Sequence, residues 1–204
     1  MSIENKPRRS IIISIFIGLG IWLIALFVTL SWFQNQYIKS FTDHNPNFLN
    51  VSFTDLWFET LLTHLPAKKS KARIIQLWKP DCLCNRFARP HSLAAVELTK
   101  ALGYEHITII PAEYESRISS FQALNPDTQM MVIDSSLLDT WPSAPSVLIE
   151  GSFNQLVYIG PLGFGTFCNQ ATTSAIETQL TGIANNQVRP FYNLVGKGCF
   201  CNWE

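Results

Sequence analysis

An excess of charge of either sign is missing from this 204-residue sequence: 15 Lys and Arg balance 15 Asp and Glu, for a formal net charge of zero. No basic run stands in the C-terminal part, so the electrostatic footprint of a nucleic-acid binder is lacking. Also lacking are a glycine-rich phosphate loop, a Ser/His/Asp arrangement and a pair of carboxylates with a site around them. His44, His64 and His106 show no metal-ligand spacing, and His91 reads as a surface residue. The sharpest absence is local. Ser10 to Ile38 contains no Asp, Glu, Lys or Arg, and Ile11 to Phe33 within it is almost wholly apolar.

A helix of about 20 apolar residues crosses the hydrocarbon core at 1.5 Å rise per residue. A signal-peptide core is shorter and ends at a small-residue cleavage site. Here Phe27, Trp32, Phe33 and Tyr37 accompany the run and no A-x-A pattern occurs, so the segment reads as a retained anchor. Trp32 and Tyr37 suit the outer interface. Lys6, Arg8 and Arg9 precede the span and only Lys39 closely follows it. The positive-inside rule then places the N-terminus in the cytoplasm and the chain after Ile38 outside it.

Beyond the anchor, residues 39–50 read as a polar linker and Ser52 to Leu65 as a helix capped by Ser52 or Thr54. Ile74 to Trp78 reads as a strand. The segment Pro80-Asp81-Cys82-Leu83-Cys84-Asn85 follows it directly, then a helix from Arg86 to Leu102 stopped by Gly103. His106 to Pro111 reads as a strand, and Glu115 to Leu124 as a helix ended by Asn125-Pro126. Met130 to Ile133 reads as a short strand, and Ser146 to Ile149 with Gln155 to Ile159 as a hairpin. Gln170 to Ala184 reads as the last helix, before a tail ending in Cys199-Phe200-Cys201. Alternation followed by a hairpin implies an α/β fold with a mixed sheet and helices on its faces.

Across roughly Arg73 to Ala184 these residues resemble the thioredoxin superfamily. Leu77-Trp78-Lys79-Pro80-Asp81-Cys82 is similar to the family's strand-end Phe-Trp-Ala-x-x-Cys, and Pro90 stands eight residues after Cys82, where the family kinks its helix. Ala144-Pro145-Ser146-Val147-Leu148-Ile149-Glu150-Gly151 is similar to its cis-Pro loop, next strand and turn. Gln155 to Gly160, with Gly163 beyond, resembles its last strand and following glycine. The register puts the family's second cysteine position at Asn85, so Cys84 comes one residue early and makes Cys-x-Cys. Asp81 replaces an aromatic, and Gln76 stands where many members keep a buried acid.

The resemblance implies a thioredoxin-like mixed sheet, which the transmembrane helix read from the apolar run precedes. The divisions expected are a cytoplasmic N-terminus (1–10), the transmembrane helix (11–33), a linker with a juxtamembrane helix (34–70), the thioredoxin-like domain (71–186) and a cysteine-bearing tail (187–204). It also implies a cis Ala144–Pro145 bond, with Pro145 beside Cys82 and the Ala144 backbone free to pair with an extended thiol substrate.

Physical chemistry adds a reading of the cysteines. Cys82 lies between a strand end and a helix start, where free N–H groups and the helix dipole stabilise a thiolate. Cys84 lies two residues on, and i and i+2 side chains of a regular helix point to different faces, so a Cys82–Cys84 disulfide needs a distorted first turn. The tail spans about 40 Å when extended and so reaches Cys82. Cys199 and Cys201 are then either a second dithiol that exchanges with the first or a disulfide holding the tail down. Cys168 is unpaired if both Cys-x-Cys pairs close internally, or it joins a tail cysteine; five cysteines leave at least one free.

The expected activity is thiol–disulfide exchange without a cofactor, on a thiol-containing protein or small thiol. Cys82 attacks, Cys84 resolves and Pro145 shapes the site. The expected location is the cell inner membrane, single-pass, with the domain on the periplasmic side. Two alternatives stay open: Cu(I) handling on Cys82 and Cys84, since soft thiolates suit that ion, and a thioredoxin-like binding module without redox turnover.

Overall fold

Strand-forming aliphatic residues occupy Arg73–Leu77 (β2), Glu105–Pro111 (β3), Gln129–Ile133 (β4), Ser146–Glu150 (β5) and Leu156–Pro161 (β6). In the computed structural model, which describes residues 6–124, 126 and 128–203, these five join Phe191–Tyr192 (β9) in one mixed sheet. Its order is β4-β3-β2-β5-β6-β9. β2, β3 and β4 run parallel, β5 is antiparallel to both β2 and β6, and β9 is parallel to β6.

Two faces of this sheet are buried, which is why its central strands are apolar runs without alternation. On one face Ile75, Leu77, Ile109, Leu148 and Ile159 pack with aromatic residues from outside the sheet, among them Phe41, Phe48, Trp57, Trp141 and Phe200. On the other, Ile74, Val147, Ile149 and Val157 meet the helices Cys84–Ala101 (α3) and Thr173–Ala184 (α5) through Ala88, Ile176, Leu180 and Ile183. α3 carries Pro90 inside it, as the sequence predicts.

Two compact units divide the chain, residues 1–36 and 37–204. The first holds all but the last residue of the long helix Lys6–Tyr37 (α1), in which Ser10–Gln36 is apolar and long enough to cross a membrane and is not buried. Residues 1–5 of the expected cytoplasmic N-terminus lie outside the described residues.

Several elements differ from the sequence expectation. The stretch read as a linker forms a strand, Ile38–Ser40 (β1), and a 3-10 turn, Pro46–Leu49, and fully buries Phe41 and Phe48. Single aromatic residues in a polar stretch carry no periodicity, so their anchoring role does not register in a pattern. The helix Val51–Thr63 (α2) is capped by Asn50, not by Ser52 or Thr54; the Asn50 side-chain oxygen accepts from the Ser52 and Phe53 amides at 3.0 and 3.4 Å. The helix expected over 115–124 is a 3-10 segment, Ala112–Arg117, followed by α-helix Ile118–Leu124 (α4); of its expected stop, Asn125 lies outside the described residues. The start expected for the last helix is instead a small hairpin of Gly163–Phe164 (β7) and Gln170–Ala171 (β8). The tail is ordered too: Lys197–Cys199 (β10) pairs antiparallel with β1, placing Ile38 opposite Cys199.

Candidate functional site

Strand β2 ends at Leu77, and the Trp78 amide still donates to the Ile109 carbonyl at 3.0 Å, so the chain leaves the sheet in a fixed direction. A turn follows in which the Cys82 amide donates to Lys79 O at 3.0 Å. Asn85, at the register position of a second cysteine, donates its side-chain N–H to the same Lys79 carbonyl and pins the turn to the first turn of α3. α3 begins at Cys84 after Leu83, and no side chain caps it. The Asn85 and Arg86 amides donate to the Cys82 and Leu83 carbonyls, both at 3.1 Å, and the positive end of the helix dipole lies at the cysteines. Cys82 and Cys84 are both buried.

The remaining cysteines arrive from the far end of the chain. Cys82 is disulfide-bonded to Cys201 and Cys84 to Cys199, so the two Cys-x-Cys segments are joined crosswise and neither closes on itself. The Sγ atoms of Cys84 and Cys201 are 3.9 Å apart. Cys201 is partly exposed, whereas Cys199 is fully buried. Cys168 is free and buried; burial pushes its thiol up to about 11, against the smaller opposing effect of the Cys199 backbone N–H.

The Ala144–Pro145 bond is cis. The Cys82 sulfur lies 3.9 Å from the Ala144 carbonyl oxygen, which brings Cys82, Ala144 and the neighbouring Pro145 to one site. The Ala144 backbone is not open: its N–H donates to Cys201 O, and its C=O accepts from Cys201 N–H, both at 2.9 Å. The edge expected to await an extended thiol substrate holds the tail of the same chain, in antiparallel pairing, with its cysteine bonded to Cys82.

Lys79, within the strand-end motif, and Trp203, in the tail itself, hold that tail in place, and neither role has a sequence signature. Lys79 Nζ donates to Asn202 O at 2.7 Å, and Trp203 Nε1 to Pro142 O at 2.6 Å. Phe200 points to the opposite side of the strand from the two cysteines. It packs on Phe41 and Phe164 with ring centroids 5.3 and 6.1 Å away. Gly198 lets that ring approach; a Cβ there would come within 2.8 Å of it.

Beside Cys82 an open groove is lined by Trp78, Pro80, Leu83, Arg86, Arg89 and Phe121. Asp81, at its rim, accepts from Arg117 NH1 at 2.6 Å. Tyr114 first, then Arg117 and Lys79, hold the Asp81 carboxyl below its usual range. Gln76 is buried and accepts from Ser92 Oγ at 2.8 Å, so the strand position below the site carries a neutral hydrogen-bonded amide. His91 turns its Nε2 to the Cys168 carbonyl at 2.8 Å.

The sheet order, the helix-mouth cysteines and the cis-proline loop define a thioredoxin-like domain, carried on a chain with one helix apolar and long enough to span a membrane. The chain belongs to the family described as a domain of unknown function, DUF6436, whose model matches residues 54–203 and so includes both cysteine pairs. Among solved structures, a hypothetical protein from Sinorhizobium meliloti 1021 is similar at 15% identity and a TM-score of 0.51, covering 65% of this chain and 79% of that one. An uncharacterized conserved protein from Geobacillus kaustophilus gives 16% identity and a TM-score of 0.50, over 66% and 78% of the two chains. A weaker likeness, 12% identity and a TM-score of 0.41 over 55% and 79%, is to a thiol:disulfide interchange protein of the thioredoxin family from Chlorobium tepidum TLS. No curated protein matches the chain.

Proposed function

We propose that this protein is a thiol–disulfide oxidoreductase, tethered by residues 11–33 to the cell inner membrane and working on its periplasmic side. Its C-terminal Cys-Phe-Cys is a second dithiol in series with the first. One observation carries the reading: Cys201 sits on the Ala144 edge as a paired strand while bonded to Cys82, the arrangement of a partner caught in a mixed disulfide.

The chemistry follows from the sulfur positions. A partner's thiolate attacks the partly exposed Cys201 sulfur; the Cys82–Cys201 bond breaks, and its electron pair leaves on Cys82. The uncapped start of α3 stabilises that leaving thiolate. The partner's second thiol then displaces Cys201. The partner departs as a disulfide, and its two electrons and two protons stay on Cys82 and Cys201. The freed Cys201 thiolate lies 3.9 Å from Cys84. It attacks there, forming Cys84–Cys201 and releasing Cys199 as a thiolate, so the free thiol moves within the tail from Cys201 to Cys199 while one bond still joins the two segments. In the opposite direction, Cys82 of the reduced protein attacks a partner's disulfide and Cys84 resolves the mixed disulfide. The partner is a thiol-containing protein or a small thiol, and no cofactor takes part.

Exchange of the detergent-solubilised chain with a small dithiol, followed by mass spectrometry of trapped species, tests the reading. Cys82→Ser is expected to abolish exchange and Cys84→Ser to accumulate mixed disulfides. Exchange by Cys82→Ser at the wild-type rate would overturn it. The tether is tested separately: reporter fusions after Lys39 should be active only outside the cytoplasm. A mature chain lacking residues 1–38 would refute a retained anchor.

A further inference from the structure

The sulfurs of Cys82, Cys84 and Cys201 all lie within 4.8 Å of one another, with Cys199 bonded to one of them. Four sulfurs from two distant segments thus converge on one point at the mouth of α3. When the disulfides are closed their lone pairs serve no metal. When both are open, the same backbone positions present a cluster of thiolates within the apolar core that also holds Ala88, Val147 and Leu162.

We propose that the fully reduced protein binds one Cu(I) ion on the thiolates of Cys82, Cys84 and Cys201, with Cys199 as an adjoining fourth sulfur. The proposal shares with the exchange reading only the premise that the two disulfides can be reduced. Each disulfide takes two electrons and two protons from one external dithiol, which leaves as its own disulfide. Three S–Cu bonds then replace three S–H bonds and release three protons, and the copper keeps its oxidation state.

The donor set selects the ion. Thiolates are soft ligands and favour Cu(I), which is satisfied by two or three sulfurs. Structural zinc sites space paired cysteines by two to four residues, wider than the single residue between each pair here. Among the described residues no imidazole joins the cluster, and His91 is turned to the Cys168 carbonyl. Three thiolates around one monovalent cation leave negative charge in a buried place. The uncapped N-terminus of α3 faces that charge, and Lys79 reaches over the tail beside it. Cys201, the partly exposed member, provides the way in for the ion.

The test uses the full chain in detergent micelles, reduced with a thiol-free phosphine under nitrogen and titrated with Cu(I) against a chromophoric Cu(I) chelator. One copper per chain is expected, with a sulfur-to-copper charge-transfer band and sulfur as the only near neighbour in X-ray absorption. The oxidised chain should take up none. Cys82→Ser, Cys84→Ser and Cys201→Ser should each weaken binding by more than about 100-fold, beyond the loss expected from a change outside the ligand shell. Cys168→Ala should bind as the wild type does. A second measurement needs no variant: bound copper should shield Cys82, Cys84 and Cys201 of the reduced wild-type chain from alkylation. Copper retained equally after Cys82→Ser, no copper retained against the chelator, or no such shielding would each overturn the proposal. A chain that binds copper without exchanging overturns the exchange reading alone; one that exchanges without binding copper overturns this one alone.

Discussion

Removing the two disulfides one at a time and together should give losses that do not add, in a ratio set by nested loops. The bonds Cys82–Cys201 and Cys84–Cys199 close separations of 119 and 115 residues. Either bond alone restricts a long unfolded loop, which is worth about 5 kcal/mol on the chain-entropy relation. With one bond in place, the second closes only a ring of about six residues, running through Cys82–Cys84 and Cys199–Cys201, and adds about 2 kcal/mol. Cys84→Ser with Cys199→Ser should therefore destabilise by about 2 kcal/mol, Cys82→Ser with Cys201→Ser by a similar amount, and the fourfold change by about 7 kcal/mol. The assay is guanidinium unfolding of the full chain in micelles, followed by tryptophan emission, with Trp57, Trp141 and Trp203 buried in one core as reporters. Equal losses near 5 kcal/mol from each double change, summing in the fourfold variant, would mean that the bonds act as independent loops and would refute the nested arrangement. No loss in any variant would refute the crosswise pairing itself.

Three further outcomes are expected. His106 is buried with no partner for either ring nitrogen, and burial lowers its pKa to about 4 from 6.5. The unfolded chain then takes up a proton that the folded chain refuses, so stability is full above pH 6.5 and falls as pH drops toward 4. The loss is on the order of 3 kcal/mol, which His106→Leu should flatten in unfolding curves taken across that window. Glu150 is buried against Arg73, whose Nε is 2.7 Å away, and Lys68 at 3.3 Å; Glu150→Gln should cost about 3 to 5 kcal/mol by leaving buried cations uncompensated, read by denaturant midpoint. Phe200→Ala should cost about 3 to 5 kcal/mol and, by emptying the place between Phe41 and Phe164, should quicken reduction of Cys82–Cys201 by a soluble dithiol, read by the appearance of free thiol.

Much of the domain is legible in the sequence because its signals are local. The β2 run ends in a cysteine motif, Pro90 stands in register, and Pro145 precedes a strand; each element forms where those residues place it. What is not legible depends on contacts across the chain. Phe41 and Phe48 lie in a polar stretch and anchor it only because the aromatic face of the sheet is there to receive them. The pairing of Ile38 with Cys199 joins the residues just after α1 to the tail, a contact that no pattern in either three-residue strand announces. The cysteine connectivity is of the same kind. Five thiols define a set of possible pairings, and only the paths of β10 and the helix mouth select the crosswise one.

Those paths also give the Cys-x-Cys spacing a physical reason. In an extended strand, residues i and i+2 face the same side about 6.6 Å apart, so Cys199 and Cys201 both point at the helix mouth while Phe200 points away. That separation is at the upper end of what a disulfide spans, so an internal Cys199–Cys201 bond requires the strand to bend. At the helix mouth, Cys84 is the first helical residue and Cys82 precedes it, and an internal bond there requires the first turn to distort. Both segments thus favour the crosswise form while the tail lies flat. Closing an internal Cys199–Cys201 bond, which would give up an electron pair from the tail, must therefore bend the tail away from Ala144 and break the two hydrogen bonds that hold Cys201. On the proposed exchange reading, oxidation state and access to the Ala144 edge change together, and a partner would reach that edge only once the Cys82–Cys201 bond has opened and the tail has left it.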